Sequence, residues 1–162
     1  MDFEAILTAL VRAQVSFIVV GGVGAILQGV PMSTQDLDLV FSPGLENRRK
    51  LANVLRELDA CYLDALPQRI TPSEEDLASP LHHLLETRFG RLDLLGTVVG
   101  GLDHEDLLHR AITLPLDEGV SVRVLDLEAL IEIKNTMGRE KDRLQVLLMR
   151  HTLEEREKLD KG

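Results

Sequence analysis

Phe17-Ile-Val-Val-Gly-Gly-Val-Gly-Ala-Ile-Leu-Gln-Gly-Val-Pro-Met-Ser-Thr-Gln-Asp-Leu-Asp-Leu-Val-Phe41 carries the pattern that decides the fold. Its β-branched run Ile18-Val19-Val20 reads as a buried strand. Gly21 and Gly22 then let the backbone turn sharply and approach a ligand with no Cβ in the way. Gly24 to Leu27 suits a short helix, whose N-terminal amides would face an anion at the turn. Asp36-Leu37-Asp38-Leu39 alternates with period two, so both carboxylates leave one face of a second strand. Two acids on one face beside a glycine turn point to a phosphate and divalent-cation site.

On the N-terminal side, Phe3, Ile6, Leu7, Leu10 and Val11 recur at helical spacing and predict an amphipathic helix. Beyond the second strand, Ser42-Pro43-Gly44 is a turn, and Glu46 to Leu58 is a helix with Leu51, Val54, Leu55 and Leu58 inward. Leu66 to Pro80, with three prolines and Glu74-Glu75-Asp76, reads as a loop with one helical turn near Ser73. His82 to Phe89 alternates loosely, and Gly90-Arg91 reads as a hairpin turn into the strand Leu92-Asp93-Leu94-Leu95. A helix is expected over Leu102 to Arg110 and a strand over Val120 to Val124. Asp126 is a suitable N-cap for a helix that Gly138 ends, and Glu140 to Lys158 forms a last long helix.

The fold class these elements predict is α/β (α+β): a mixed, twisted sheet flanked by helices with a helical C-terminus. One domain over 1–162 is expected, its core about 14–125 and its C-terminal helices about 126–158. No run approaches the ~20 apolar residues of a membrane span, so no membrane partner is expected. Met1-Asp2-Phe3-Glu4 lacks the basic start of a secretory signal. Cys61 is the single cysteine, which excludes an internal disulfide and fits a reducing, cytoplasmic setting. A net charge of −9 disfavours an extended nucleic-acid surface, which needs many Lys and Arg contacts to phosphate. No Trp, one Tyr and four Phe also leave little on which bases could stack.

Asp36 and Asp38 could be two solvated strand acids, but Leu37, Leu39, Val40 and Phe41 make the strand a buried one. Unpaired carboxylates in that setting repel, and a cation would neutralise them. Oxygen-only ligands select Mg²⁺ or Mn²⁺. Asp93 repeats the pattern of one acid in an apolar strand, and if its strand lies beside the first, three carboxylates converge. Three acids can hold metal and assist deprotonation of an acceptor hydroxyl. His82 and His83, adjacent on a strand, face opposite ways and do not share an ion. Gly21-Gly-Val-Gly24 fails the Rossmann spacing, and no EF-hand spacing follows Asp36.

The order of glycine pair, Asp-x-Asp and later strand Asp resembles the DNA polymerase β-like nucleotidyltransferase superfamily. It is most similar to the small bacterial members of minimal and abortive-infection type, which often read Gly-Gly, then Arg-x-Thr-x-Asp-x-Asp. Gly90-Arg-Leu-Asp-Leu-Leu95, Val124-Leu-Asp-Leu-Glu-Ala-Leu130, Lys134 and Gly138-Arg-Glu-Lys-Asp142 extend the resemblance from about Phe17 to Leu148. It implies metal-dependent transfer of an NMP from an NTP to an acceptor hydroxyl, with release of pyrophosphate. Gly21 and Gly22 would then contact the triphosphate, Asp36 and Asp38 would bind metal, and Asp93 would bind the catalytic metal or act as base. Lys134, Arg139 and Lys141 would meet phosphate or substrate, although Lys141-Asp142 suits equally a structural pair joining the last two helices. Ser33 and Thr34 would donate to phosphate, a role that capping or turn formation also explains. The acceptor is left open between a small molecule, a protein hydroxyl and an RNA end. The chain departs from the family at Met32, which stands where Arg is common. That departure keeps two alternatives in view: a nucleotide- or protein-binding module without turnover, and one half of a toxin–antitoxin pair acting on a partner protein or RNA.

Overall fold

The computed structural model describes residues 1–117 and 119–161. Helix α1 (Phe3–Arg12) leads into β1 (Phe17–Val20), α2 (Gly21–Leu27) and β2 (Asp36–Phe41). After α3 (Leu45–Glu57) and β3 (Cys61–Tyr62) come β4 (His83–Thr87) and β5 (Gly90–Leu95). The short pair β6 (Thr97–Val98) and β7 (Leu102–Asp103) precedes the single turn α4 (His104–Leu107). The chain finishes with β8 (Ala111–Asp117), β9 (Val120–Leu125), α5 (Leu127–Met137) and α6 (Glu140–Lys161). Seven strands form one mixed sheet in the order β3-β4-β5-β2-β1-β9-β8. Within it β2 runs antiparallel to β1 and parallel to β5, and β1 runs parallel to β9.

Period-two alternation sorts β2 between two cores. Leu37 and Leu39 face the cluster that holds Ile6, Leu10, Leu51 and Leu55, from α1 and α3. Val40 faces the opposite cluster with Ile18, Leu125, Leu130 and Met149, where α5 and α6 pack. Strand β1 is buried along its whole length, as its unbroken apolar run requires for a strand covered on both faces. Asp36 and Asp38 share the face of Val40 and lie towards the open end of the sheet. The second core therefore stops where the acids begin.

The local signals around α5 act as expected. Asp126 Oδ1 accepts from the Ala129 N–H at 2.7 Å, and Gly138, at φ +65°, ends the helix in the left-handed region.

Three sequence expectations need correction. Helix α2 starts at Gly21 rather than Gly24, because the turn is completed at Gly21 alone, at φ +69°. The β4–β5 turn falls on Arg88 and Phe89, not on Gly90-Arg91. Thr87 Oγ1 accepts from the Phe89 N–H at 3.1 Å and donates to the Gly90 carbonyl at 2.7 Å, closing the turn early and placing Arg91 in β5. The expected helix over Leu102 to Arg110 keeps only one α-turn, followed by a 3-10 turn. Asp103 and Asp106 form a capping box that starts it at His104. The turn expected near Ser73 does form: the Leu77 N–H donates to the Ser73 carbonyl at 3.1 Å, and the 3-10 turn Asp76–Ala78 is anchored by buried Leu77 and by reciprocal Ser73–Asp76 hydrogen bonds.

Leu39 is fully buried at the centre of β2, so Leu39→Ala should lower the unfolding free energy by about 3 kcal/mol. Leu144→Ala, on an exposed face of α6, should change it by less than about 0.5 kcal/mol in the same urea titration.

Candidate active site

Strand register builds the acidic centre. Asp38 lies opposite Val20 of β1 on one side and Asp93 of β5 on the other, while Asp36 is in register with Arg91. One oxygen from each of Asp36, Asp38 and Asp93 lies within 4.8 Å of the other two. Burial pushes the Asp38 carboxyl up to about 7, helped by the negative charges of Asp36 and Asp93 and opposed by Lys134. Asp93 is also raised, burial outweighing the ion pair with Arg91. These carboxylates stay close at an electrostatic cost that a bound cation would relieve. The all-oxygen donor set and its spacing fit a hard divalent ion such as Mg²⁺ or Mn²⁺.

The glycine turn is fitted to the acids. A Cβ on Gly21 would overlap Asp38 Oδ2, and the positive φ already disfavours any side chain there. A Cβ on Gly22 would lie 2.9 Å from the Thr34 Cβ. Thr34 Oγ1 donates to Asp36 Oδ1 at 3.2 Å, fixing the first acid from outside the strand. Ser33 is exposed and lines the same cleft.

Cations arrive from two directions. On the sheet, Arg91 grips both oxygens of Asp93, Nε to Oδ1 at 3.1 Å and a terminal nitrogen to Oδ2 at 3.3 Å. From the helices, Lys134 Nζ reaches Asp142 Oδ1 at 3.1 Å and Arg139 Nε reaches Asp142 Oδ2 at 2.6 Å. Asp142 is 1% exposed; burial acts to raise its carboxyl, but the bonds from Arg139 and Lys134 hold it below the usual range. The carboxylate joining the last two helices thus pairs with Lys134 and Arg139, and Lys141 lines the cleft.

All ten residues singled out in the sequence line one cleft of about 710 Å³: Gly21, Gly22, Ser33, Thr34, Asp36, Asp38, Asp93, Lys134, Arg139 and Lys141. Sequence reasoning missed Arg91, His82 and Gln145, which also line it. Extending the alternation of β5 back from Asp93 would have found Arg91, two residues earlier on the same face. Met32 packs against the α5–α6 core and is not among the residues lining the cleft. The two neighbouring histidines do part company. His82 lines the cleft, whereas His83 is buried with its Nδ1 2.7 Å from the Tyr62 hydroxyl. Cys61 is buried as well.

Solved structures share this architecture. The antibiotic-resistance factor ANT(2'')-Ia, in its solution structure, superposes with a TM-score of 0.61 at 19% identity, over 93% of this chain and 82% of the other. The lincosamide antibiotic adenylyltransferase LnuA, solved with lincomycin bound, gives 0.57 at 14% identity over 93% and 96% of the two chains. TM1012 of Thermotoga maritima, a nucleotidyltransferase candidate, gives 0.56 at 18% identity over 94% and 91%. No protein-family model and no curated protein sequence matches the chain. The structural likeness establishes the fold: this chain has the nucleotidyltransferase fold.

Between about pH 4 and pH 7 the metal-free folded protein keeps a proton on Asp38 that the unfolded chain has released. The folded state then binds more protons, so stability falls as pH rises through this window. A loss on the order of 2–4 kcal/mol by pH 8 is expected for this group alone. The melting temperature of chelator-treated protein should fall from pH 5 to pH 8, and Asp38→Asn should flatten that trend. Added Mg²⁺ should restore stability at pH 8 and do little at pH 5.

Proposed function

We propose that this protein transfers a nucleoside monophosphate from an NTP to an acceptor hydroxyl, releasing pyrophosphate. The observation that carries the reading is the convergence of Asp36, Asp38 and Asp93 in the cleft of a nucleotidyltransferase fold. In this reaction the acceptor oxygen bonds to the α-phosphorus, the bond from that phosphorus to the bridging oxygen breaks, and pyrophosphate leaves with the electron pair. A divalent cation held by Asp36, Asp38 and Asp93 would neutralise charge on the transferring phosphate and acidify the acceptor hydroxyl. The chain's own groups do the positioning on which phosphoryl chemistry depends. Gly21 and Gly22 leave room for close backbone approach to the triphosphate. Lys134, Arg139 and Lys141 offer positive charge to its oxygens from the helical side, and Ser33 and Thr34 border that space. Arg91 fixes the orientation of Asp93, which receives the acceptor proton or holds the cation.

A binding module without turnover is the second reading, favoured by Met32, which adds no positive charge to the cleft. A module that holds nucleotide shares the binding step with the transfer reading, and transfer separates the two.

Isothermal titration with ATP, GTP, CTP or UTP and Mg²⁺ should show binding to the wild type that disappears in Asp36→Ala. Unchanged binding in that variant would sink the site assignment. Incubation of [α-³²P]NTP with cell extract should move label to an acceptor, and Asp93→Asn should slow the transfer by roughly 10²-fold or more. Retention of NTP with no transferred label would favour the binding module.

A further inference from the structure

Asp93 lies between the glycine turn and the β4 side of the cleft. Towards β1 lie the glycine turn, Ser33 and Thr34, and the helical side adds Lys134, Arg139 and Lys141 beside apolar Ile133 and Met137. Towards β4, beyond the polar side chains of Arg91, His82 and Thr97, the wall carries an apolar shelf. Leu84 is the cross-strand partner of Asp93, Leu95 follows two residues later on the same face, and Val98 and Val99 extend the surface. Leu84 and Val99 are 40% and 39% exposed, so this shelf is apolar area left facing the cleft.

The charges around it are as telling. Among the described residues, the carboxylates lining the cleft are Asp36, Asp38 and Asp93 alone, all of them in the three-acid cluster that could hold a metal. The other charged lining residues are Arg91, Lys134, Arg139 and Lys141. Two acids lie near the shelf without lining it. Glu86 is in register with Arg91, and Asp103, opposite Thr97, is engaged in the capping box of α4. An ammonium-rich acceptor entering here would lose hydration without gaining a carboxylate partner, which is costly. An uncharged molecule with an apolar face would gain by covering Leu84 and Val99.

We propose that the acceptor is a small, uncharged hydroxyl compound with an apolar or aromatic face, which lies on Leu84, Leu95, Val98 and Val99 with its hydroxyl towards Asp93. The assignment rests on the transfer reading for the identity of this shelf as the acceptor side. The specificity itself follows from the shelf and from the lack of spare lining carboxylates among the described residues.

The test uses methyl-labelled full-length protein saturated with Mg²⁺ and a non-hydrolysable ATP analogue, titrated with phenyl β-D-glucoside and separately with spermine. The glucoside should shift the Leu84, Val98 and Val99 methyl resonances, and spermine should leave them unmoved. Leu84→Asp should weaken glucoside binding about fivefold or more. Leu84→Ser serves as a second variant should the aspartate disturb folding. Shifts caused by spermine, the lack of any shift with the glucoside, or glucoside affinity unchanged in both variants would overturn the proposal. Repeating the glucoside titration on nucleotide-free protein keeps the two ideas apart. Failure of the ATP analogue to bind would count against the transfer reading, whereas a silent shelf counts against this one.

Discussion

Electrostatic repulsion among three half-buried or buried carboxylates is the constraint around which this protein is arranged. Asp36, Asp38 and Asp93 would separate if their strands were free to shift. They are held because Leu37, Leu39, Leu92 and Leu94, on the reverse of the same two strands, belong to one apolar cluster. A one-residue slip of either strand would turn these leucines into the cleft and the acids into the core. The hydrophobic alternation that forms the sheet thus also fixes the acid spacing. Smaller adjustments complete it: the missing Cβ of Gly21, the hydroxyl of Thr34 on Asp36, and the guanidinium of Arg91 on Asp93.

The mixed direction of the strands matters as much as their order. Because β2 is parallel to β5 but antiparallel to β1, the starts of β2 and β5 meet the end of β1 at a single edge of the sheet. Acids carried by two strands and a glycine turn carried by a third therefore come together without a long loop. The helices of the second layer cover the apolar part of that face and stop short of this edge, leaving the cleft between them. The helical side of the cleft sets Lys134, Arg139 and Lys141 beside apolar Ile133 and Met137, while the β4–β5 hairpin sets Leu84 and Leu95 beside Arg91 and Asp93.

What could be read from the sequence was whatever local pattern controls. The unbroken run of β1, the period of β2, the Asp126 cap and the Gly138 stop each depend on neighbours within a few residues. Elements whose identity depends on distant partners were obscure. Strand β3 has two residues and exists only by pairing with β4. Strand β8 contains Pro115, which weakens a strand pattern and is tolerated because β8 is an edge with irregular register at that point. Arg91 was hidden by a glycine before it, since the side chain of Thr87, rather than Gly90, closes the turn. Asp93 was visible as an odd acid in an apolar strand, but its place beside Asp38 is a property of strand order, which no single segment encodes.

Asp142 has a reach beyond its own position. It is buried, it does not line the cleft, and two of the cleft's cations lean on it, Lys134 from α5 and Arg139 from the α5–α6 joint. Lys134 and Arg139 are therefore not independent charges. Their placement is set by a common anchor, and a change at that anchor would alter the direction of both at once. The field in the cleft is controlled in part by a residue that no ligand there would touch, and the joint between the last two helices is as much an electrical connection as a mechanical one.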